Sequence, residues 1–151
     1  MTPRQRRTLL GVLGFLTFAS VYANVVTVPV LVEIADEFGT TAGTAGLVAA
    51  AFGLPGIVVA LVVGPYSDRL GRKRFLVAGG VTMGVGTVLS GFAGTFEILL
   101  ATRALAGVGA SMIFPNVNAT IGDTFPYRER GRAISTVIAM NTMAAIVGLP
   151  I

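Results

Sequence analysis

The sequence predicts an all-α, polytopic membrane helix bundle, and three observations carry that prediction. Of 151 residues, 54% are hydrophobic and only 12% are charged, about half the ~25% charged fraction of an ordinary soluble domain. Five apolar runs, approximately 8–32, 44–65, 75–93, 98–122 and 133–151, can each cross a hydrocarbon core. Crossing ~30 Å at about 1.5 Å per residue takes about 20 residues, so the third and fifth runs barely suffice. The charged residues gather in the short segments between the runs. A backbone in lipid must satisfy its own hydrogen bonds, so the runs are read as helices and not as strands.

The first run is preceded by Arg4, Arg6 and Arg7. An arginine-rich start followed by Val21-Tyr22-Ala23 has the form of a cleavable signal, but the run continues to Val32, too long for a signal core. It is read as an uncleaved first span, with Pro29 predicting a bend. The next connection carries Glu33, Asp36 and Glu37 and no cation. In the second run, Gly53-Leu54-Pro55-Gly56 predicts another bend. The third run carries Gly80 and Gly84, a GxxxG spacing that lets helices approach closely in lipid. Only Glu97 lies between the third and fourth runs. The fourth contains Arg103 and a small-residue face of Gly107, Gly109 and Ser111. Asp123, Arg128, Glu129, Arg130 and Arg132 precede the fifth. Ten of the eleven cations therefore fall on one side of the membrane, which makes that side cytoplasmic. The N-terminus is expected inside and Ile151 near the outer face.

Several function classes drop out. The pI of about 10.4 suits nucleic-acid binding, but no aromatic residues interleave with the basic clusters, so no nucleic-acid partner is expected. With no Cys and no His, thiolate metal sites and His-based acid–base chemistry are excluded. Gly107-Val108-Gly109 fails as a dinucleotide loop because Met112 stands at the third glycine position and no strand precedes it. No GxxxxGK[ST] occurs. Neither an enzyme nor a cofactor is expected.

The most informative segment is the charged turn from Gly64 to Arg74, in which five of eleven residues are charged. A solvated loop whose cations anchor the flanking helices would account for the charge alone. The spacing asks for more. Gly64 permits close approach of another helix, and Asp68 favours a neighbouring helix N-terminus by ~0.3–1 kcal/mol. Gly71 allows the positive φ needed to reverse the chain. Arg72 and Arg74 can reach a carboxylate on an adjacent helix.

Gly64, Asp68, Arg69, Gly71, Lys73 and Arg74, with Arg72 completing Gly-Arg-Lys, resemble the signature between the second and third helices of the major facilitator superfamily. Arg103 followed by Gly107 is similar to the family's pattern on helix 4, with Ala106 departing from the Gln of drug exporters. Residues 126–133 resemble its secondary basic loop, and 24–29 its motif on helix 1. Gly148-Leu149-Pro150 resembles a variant of the antiporter motif on helix 5, with Leu where that motif has Gly. The resemblance extends from Leu10 to Pro150.

What the resemblance implies is a fold and a cycle. Residues 1–151 would be a partial N-terminal domain, an incomplete six-helix half of a carrier whose remaining helices are the missing partner. Asp68 would belong to a cytoplasmic latch, and Arg72 would pair with Asp123. Arg103 costs ~2.5–3.5 kcal/mol at a bilayer centre, so it either snorkels to the outer headgroups or faces the central cavity. Tyr22, Asn24, Asn116, Asn118 and Asn141 are the other polar groups within spans, read as substrate contacts or as interhelical hydrogen bonds. The implied function is secondary active transport of a small solute, proton-coupled, by alternating access in the cell (inner) membrane. Efflux by antiport and metabolite transport are both compatible with it. The alternative class is a membrane-embedded scaffold without a transport cycle, which a natural stop after Ile151 would favour.

Overall fold

The computed structural model describes residues 2–149. Seven helices follow in order: α1 (Pro3–Val25), α2 (Leu31–Glu37), α3 (Ala42–Ala45), α4 (Leu47–Leu70), α5 (Arg72–Ser90), α6 (Phe96–Thr124) and α7 (Tyr127–Gly148). No strand occurs among the described residues. The five long helices α1, α4, α5, α6 and α7 correspond to the five apolar runs. Pro150 and Ile151, on which the antiporter-like motif and the outer-face expectation partly rest, lie outside the described residues.

Helix limits differ from the runs for physical reasons. The first run is helical only to Val25 and then passes through turns at 26–30. Proline has no N–H to continue the ladder, so Pro29 sits beyond the helix end and does not bend it. At the other end of α1, Thr2 and Gln5 form a capping box, with Thr2 N donating to Gln5 Oε1 (2.8 Å) and Gln5 N to Thr2 Oγ1 (3.3 Å). The charged segments are more helical than loops between spans would be. α4 runs on through Asp68 and Arg69 to Leu70, and α7 begins at Tyr127, inside the expected basic loop. Arg, Lys and Glu are good helix formers, and helices can project past the hydrocarbon.

Four helical segments, Arg4–Val25, Ala42–Leu70, Phe96–Thr124 and Tyr127–Gly148, are long and apolar enough to cross a membrane. The fifth, α5, opens on Arg72, Lys73 and Arg74, which leaves its apolar stretch, 75–90, below the ~20 residues a span needs. It packs along α6 all the same.

That packing is built on glycine. A Cβ on Gly79 would lie 2.7 Å from the Gly109 carbonyl, and one on Gly86 2.8 Å from the Thr102 carbonyl. On α6, a Cβ at Gly109 would run into the backbone of Met83, and one at Gly107 into the carbonyl of Phe52 on α4. Helix α6 therefore meets α5 through Gly109 and α4 through Gly107. The contact face of α5 is Gly79–Met83–Gly86, not the expected Gly80–Gly84. Gly84 faces open space, and Gly80 meets only the side chain of Leu16. Ser20 of α1 donates to Leu16 O (2.9 Å) and to Met83 Sδ (3.0 Å), tying α1 to the same face. The core is completed by Leu13, Leu76, Ile113, Val117 and Ile121, and Met140 of α7 seats on Gly14 of α1.

The glycines should separate in stability measurements on the full-length protein. Gly107→Ala is expected to lower thermal stability by roughly 1–3 kcal/mol through overpacking. Gly84→Ala is expected to be neutral or stabilising by up to about 1 kcal/mol, since Ala is the better helix former. Size-exclusion after graded heating reads both, and equal effects would contradict the assignment of faces.

Candidate functional site: the charged turn and the arginine of α6

One residue, Gly71, separates α4 from α5. Its φ of 94° reverses the chain, and its N–H closes α4 on the Ser67 carbonyl at 3.0 Å. Glycine adopts that conformation without Cβ strain. The reversal brings the last turn of α4 against the first residue of α5. Arg72 Nη2 then lies 3.0 Å from Asp68 Oδ1, and Arg72 Nε lies 2.9 Å from Asp123 Oδ2 at the end of α6. One guanidinium thus joins three helices.

The electrostatics give the pairing a reason. A cation is unfavourable at a helix N-terminus and an anion at a C-terminus, each by a few tenths of a kcal/mol to ~1 kcal/mol. Arg72 is the first residue of α5 and Asp123 lies in the last turn of α6. Each offsets the other's misplacement. Both carboxylates stay more than 60% exposed while Arg72 is 23% exposed, and Arg72 Nη1 is buried without a hydrogen-bond partner among the described residues.

The other residues of the turn behave differently. Arg69, Lys73 and Arg74 are exposed and form no ion pair among the described residues. Nothing lies within 4 Å of a Cβ built on Gly64, so the close approach expected there is not made by any described helix. A groove of about 920 Å³ runs from Asp68, Arg72 and Asp123 along Leu9, Leu16 and Val77 between α1 and α5.

Arg103 is tied to the backbone of α1. Its Nη1 donates to the Ala23 carbonyl at 2.9 Å. Ala23 lies in the last turn of α1, and its carbonyl also accepts from Thr27 Oγ1 at 3.3 Å. The guanidinium is therefore a cap on the negative end of α1, where a cation stabilises. Its Nε is buried and unpartnered among the described residues.

The remaining candidates are dispersed. Gly107 is buried against Phe52. Asn116 is 1% exposed and spends its amide on the Met112 carbonyl (2.7 Å), so it is an internal group. Asn118 is exposed, Asn24 and Asn141 are half-buried, and Tyr22 stacks on Phe18 with ring centroids 6.1 Å apart. Tyr22, Asn24 and Arg103 share the end of the bundle opposite the charged turn. Two features went unread in the sequence: the Ala23 carbonyl as partner of Arg103, and an ion pair of Arg6 Nη1 with Glu129 Oε2 at 3.4 Å. No residue pattern signals a backbone acceptor.

The family model described as Major Facilitator Superfamily matches residues 13–151. The chain belongs to the Major Facilitator Superfamily. It is 34% identical over 146 residues to an uncharacterized MFS-type transporter of Mycobacterium tuberculosis, covering 95% of this chain and 21% of that protein. It is 34% identical over 131 residues to the "Probable sulfoacetate transporter SauU" of Cupriavidus necator, covering 86% of this chain and 30% of that protein. Multidrug resistance protein 1 of Bacillus subtilis is 31% identical over 121 residues, 80% of this chain and 31% of that protein. The chain thus spans between about a fifth and a third of the length of these superfamily relatives. Membership and the four apolar segments make it a multi-pass membrane protein.

The cap on α1 is testable by hydrogen exchange. Arg103→Gln in the full-length protein is expected to speed amide exchange over 26–31 by roughly tenfold, the scale of a lost hydrogen bond to a charged group, about 1.5 kcal/mol. Unchanged exchange there would contradict the cap.

Proposed function

We propose that this chain is the N-terminal part of a secondary transporter that moves a small organic solute across the cell membrane by alternating access, coupled to protons. The carrying observation is the placement of Arg72 between Asp68 and Asp123, at the joint of three helices. In this reading Gly64, Asp68, Arg69, Gly71, Arg72, Lys73, Arg74 and Asp123 form one side of a cytoplasmic latch. The open surface at Gly64 and the exposed Asp68 receive a helix of the other half of the carrier. The N-terminus lies in the cytoplasm, on the side that holds ten of the eleven cations.

Internal symmetry supports the reading of residues 1–151 as an incomplete six-helix half. α4 and α5 both pack on α6, whereas among the described long helices α1 has the corresponding extensive contact only with α7. Inverted three-helix repeats would supply α1 with a counterpart of α5. The groove along Leu9, Leu16 and Val77 is the seat for it.

Tyr22, Asn24, Arg103, Asn118 and Asn141 remain the candidate pathway residues, while Gly107 and Asn116 act through packing. No Asp or Glu lies in the interior of the described spans. The proton-binding acid is therefore expected in another part of the carrier. One proton crossing 100 mV supplies ~2.3 kcal/mol to the cycle.

The test is transport by the full-length protein in vesicles, screened over small solutes with and without a pH gradient. Asp68→Asn is expected to lower the rate at least about tenfold while leaving membrane expression unchanged, because an exposed ion pair is worth only ~0–1 kcal/mol to stability. A rate unchanged in Asp68→Asn would sink the latch, and transport indifferent to the pH gradient would sink proton coupling.

A further inference from the structure

A second concentration of charge lies at the same end of the bundle and is not used by the latch. A pocket of about 580 Å³ opens between the first turns of α1 and α7, lined by Arg6, Arg7, Arg132 and Glu129 over a floor of Leu10 and Phe125. Three guanidinium groups face one carboxylate. The single ion pair, Arg6 to Glu129, is long at 3.4 Å, and Glu129 is more than half exposed. Such a pair holds its members weakly. Arg7 and Arg132 have no ion-pair partner among the described residues, and Arg6 Nε is buried without a hydrogen bond. No side chain caps the first amides of α7, so the positive end of its dipole adds to the field.

We propose that this pocket binds the phosphate of an anionic phospholipid headgroup. Guanidinium forks match phosphate oxygens bidentately, and basic pockets between helices at a membrane surface bind anionic headgroups. The apolar floor decides between a lipid and a free anion. Leu10 and Phe125 put an apolar surface at the base of the pocket, which the glycerol and upper acyl carbons of a lipid can meet and from which a soluble phosphate would gain nothing. The phosphate replaces Glu129 as the partner of Arg6 and brings Arg7 and Arg132 onto one anion. The lipid thereby adds a polar tie between α1 and α7 to the apolar packing of Leu10 against the core cluster that holds Phe125 and Ala133.

Native mass spectrometry of the full-length protein, extracted from membranes of mixed phosphatidylglycerol and phosphatidylcholine, tests this. The wild type is expected to retain phosphatidylglycerol in preference to phosphatidylcholine. Arg7→Gln with Arg132→Gln is expected to reduce that retention roughly tenfold, through loss of direct charge-assisted contacts to the phosphate. Arg7→Lys with Arg132→Lys keeps the charge that orients the helices and is expected to reduce it about threefold, by loss of the forks. Arg4→Gln with Arg128→Gln removes the same charge from outside the pocket and is expected to leave retention within about twofold. Equal losses in the pocket and control pairs, or no lipid preference in the wild type, would overturn the proposal. So would displacement of the lipid by an excess of inorganic phosphate, which would make a soluble anion the occupant.

Discussion

Close approach of α4 and α5 to α6 is the constraint from which the rest of this structure follows. Lipid offers no hydrophobic drive between helices, so association rests on van der Waals contact and backbone proximity. Gly107 and Gly109 supply that proximity on two sides of one helix, against Phe52 of α4 and against Gly79 and Met83 of α5. Moving α5 outward by the width of a methyl group would carry Arg72 away from Asp123. The ion pair at the charged turn is thus positioned by glycines about four turns distant on α6.

Two arginines then resolve what helix termini leave open. Arg72 sits at an end where its charge is unwelcome and is compensated by carboxylates on two other helices. Arg103 does the reverse: it brings a cation to the end of α1, where the Ala23 carbonyl accepts side-chain donors while its neighbours Tyr22, Asn24 and Val25 accept backbone amides. Chemistry of the same side chain therefore serves joining at one end of the bundle and capping at the other. The energy scale also suits the proposed cycle. A contact between carboxylates that stay more than 60% exposed and one arginine is worth little.

Much of this was legible in the residues. Apolar runs and loop charges gave the number and order of the long helices, because a bilayer demands length and charge avoidance of every span. Gly71 declared its positive φ, and the pairing of Arg72 with Asp123 followed from a family resemblance in the charged turn. Helix ends were less legible. Charged residues such as Asp68 and Arg128 lie outside the apolar runs yet inside helices, and α1 ends at Val25, within an apolar run. The glycine face of α5 was mistaken because Gly79, Gly80, Gly84 and Gly86 allow two stripes, and only the neighbour decides between them. Arg103 could not be placed because its partner is a carbonyl, and every residue carries one.

We propose that Arg72 and Asp123 act as one unit that keeps the side of the carrier bearing the charged turn closed. With any cysteines outside these 151 residues replaced, a single reporter at Asn118→Cys, exposed in the half of α6 nearer Asp123, can read access from that side. The most direct measurement is its alkylation rate in the full-length protein, in Arg72→Gln, in Asp123→Asn and in the double variant. If the pair acts as a unit, each single change raises the rate by roughly the same factor and the double raises it no further. Additive effects, or a rate indifferent to both changes, would contradict the account.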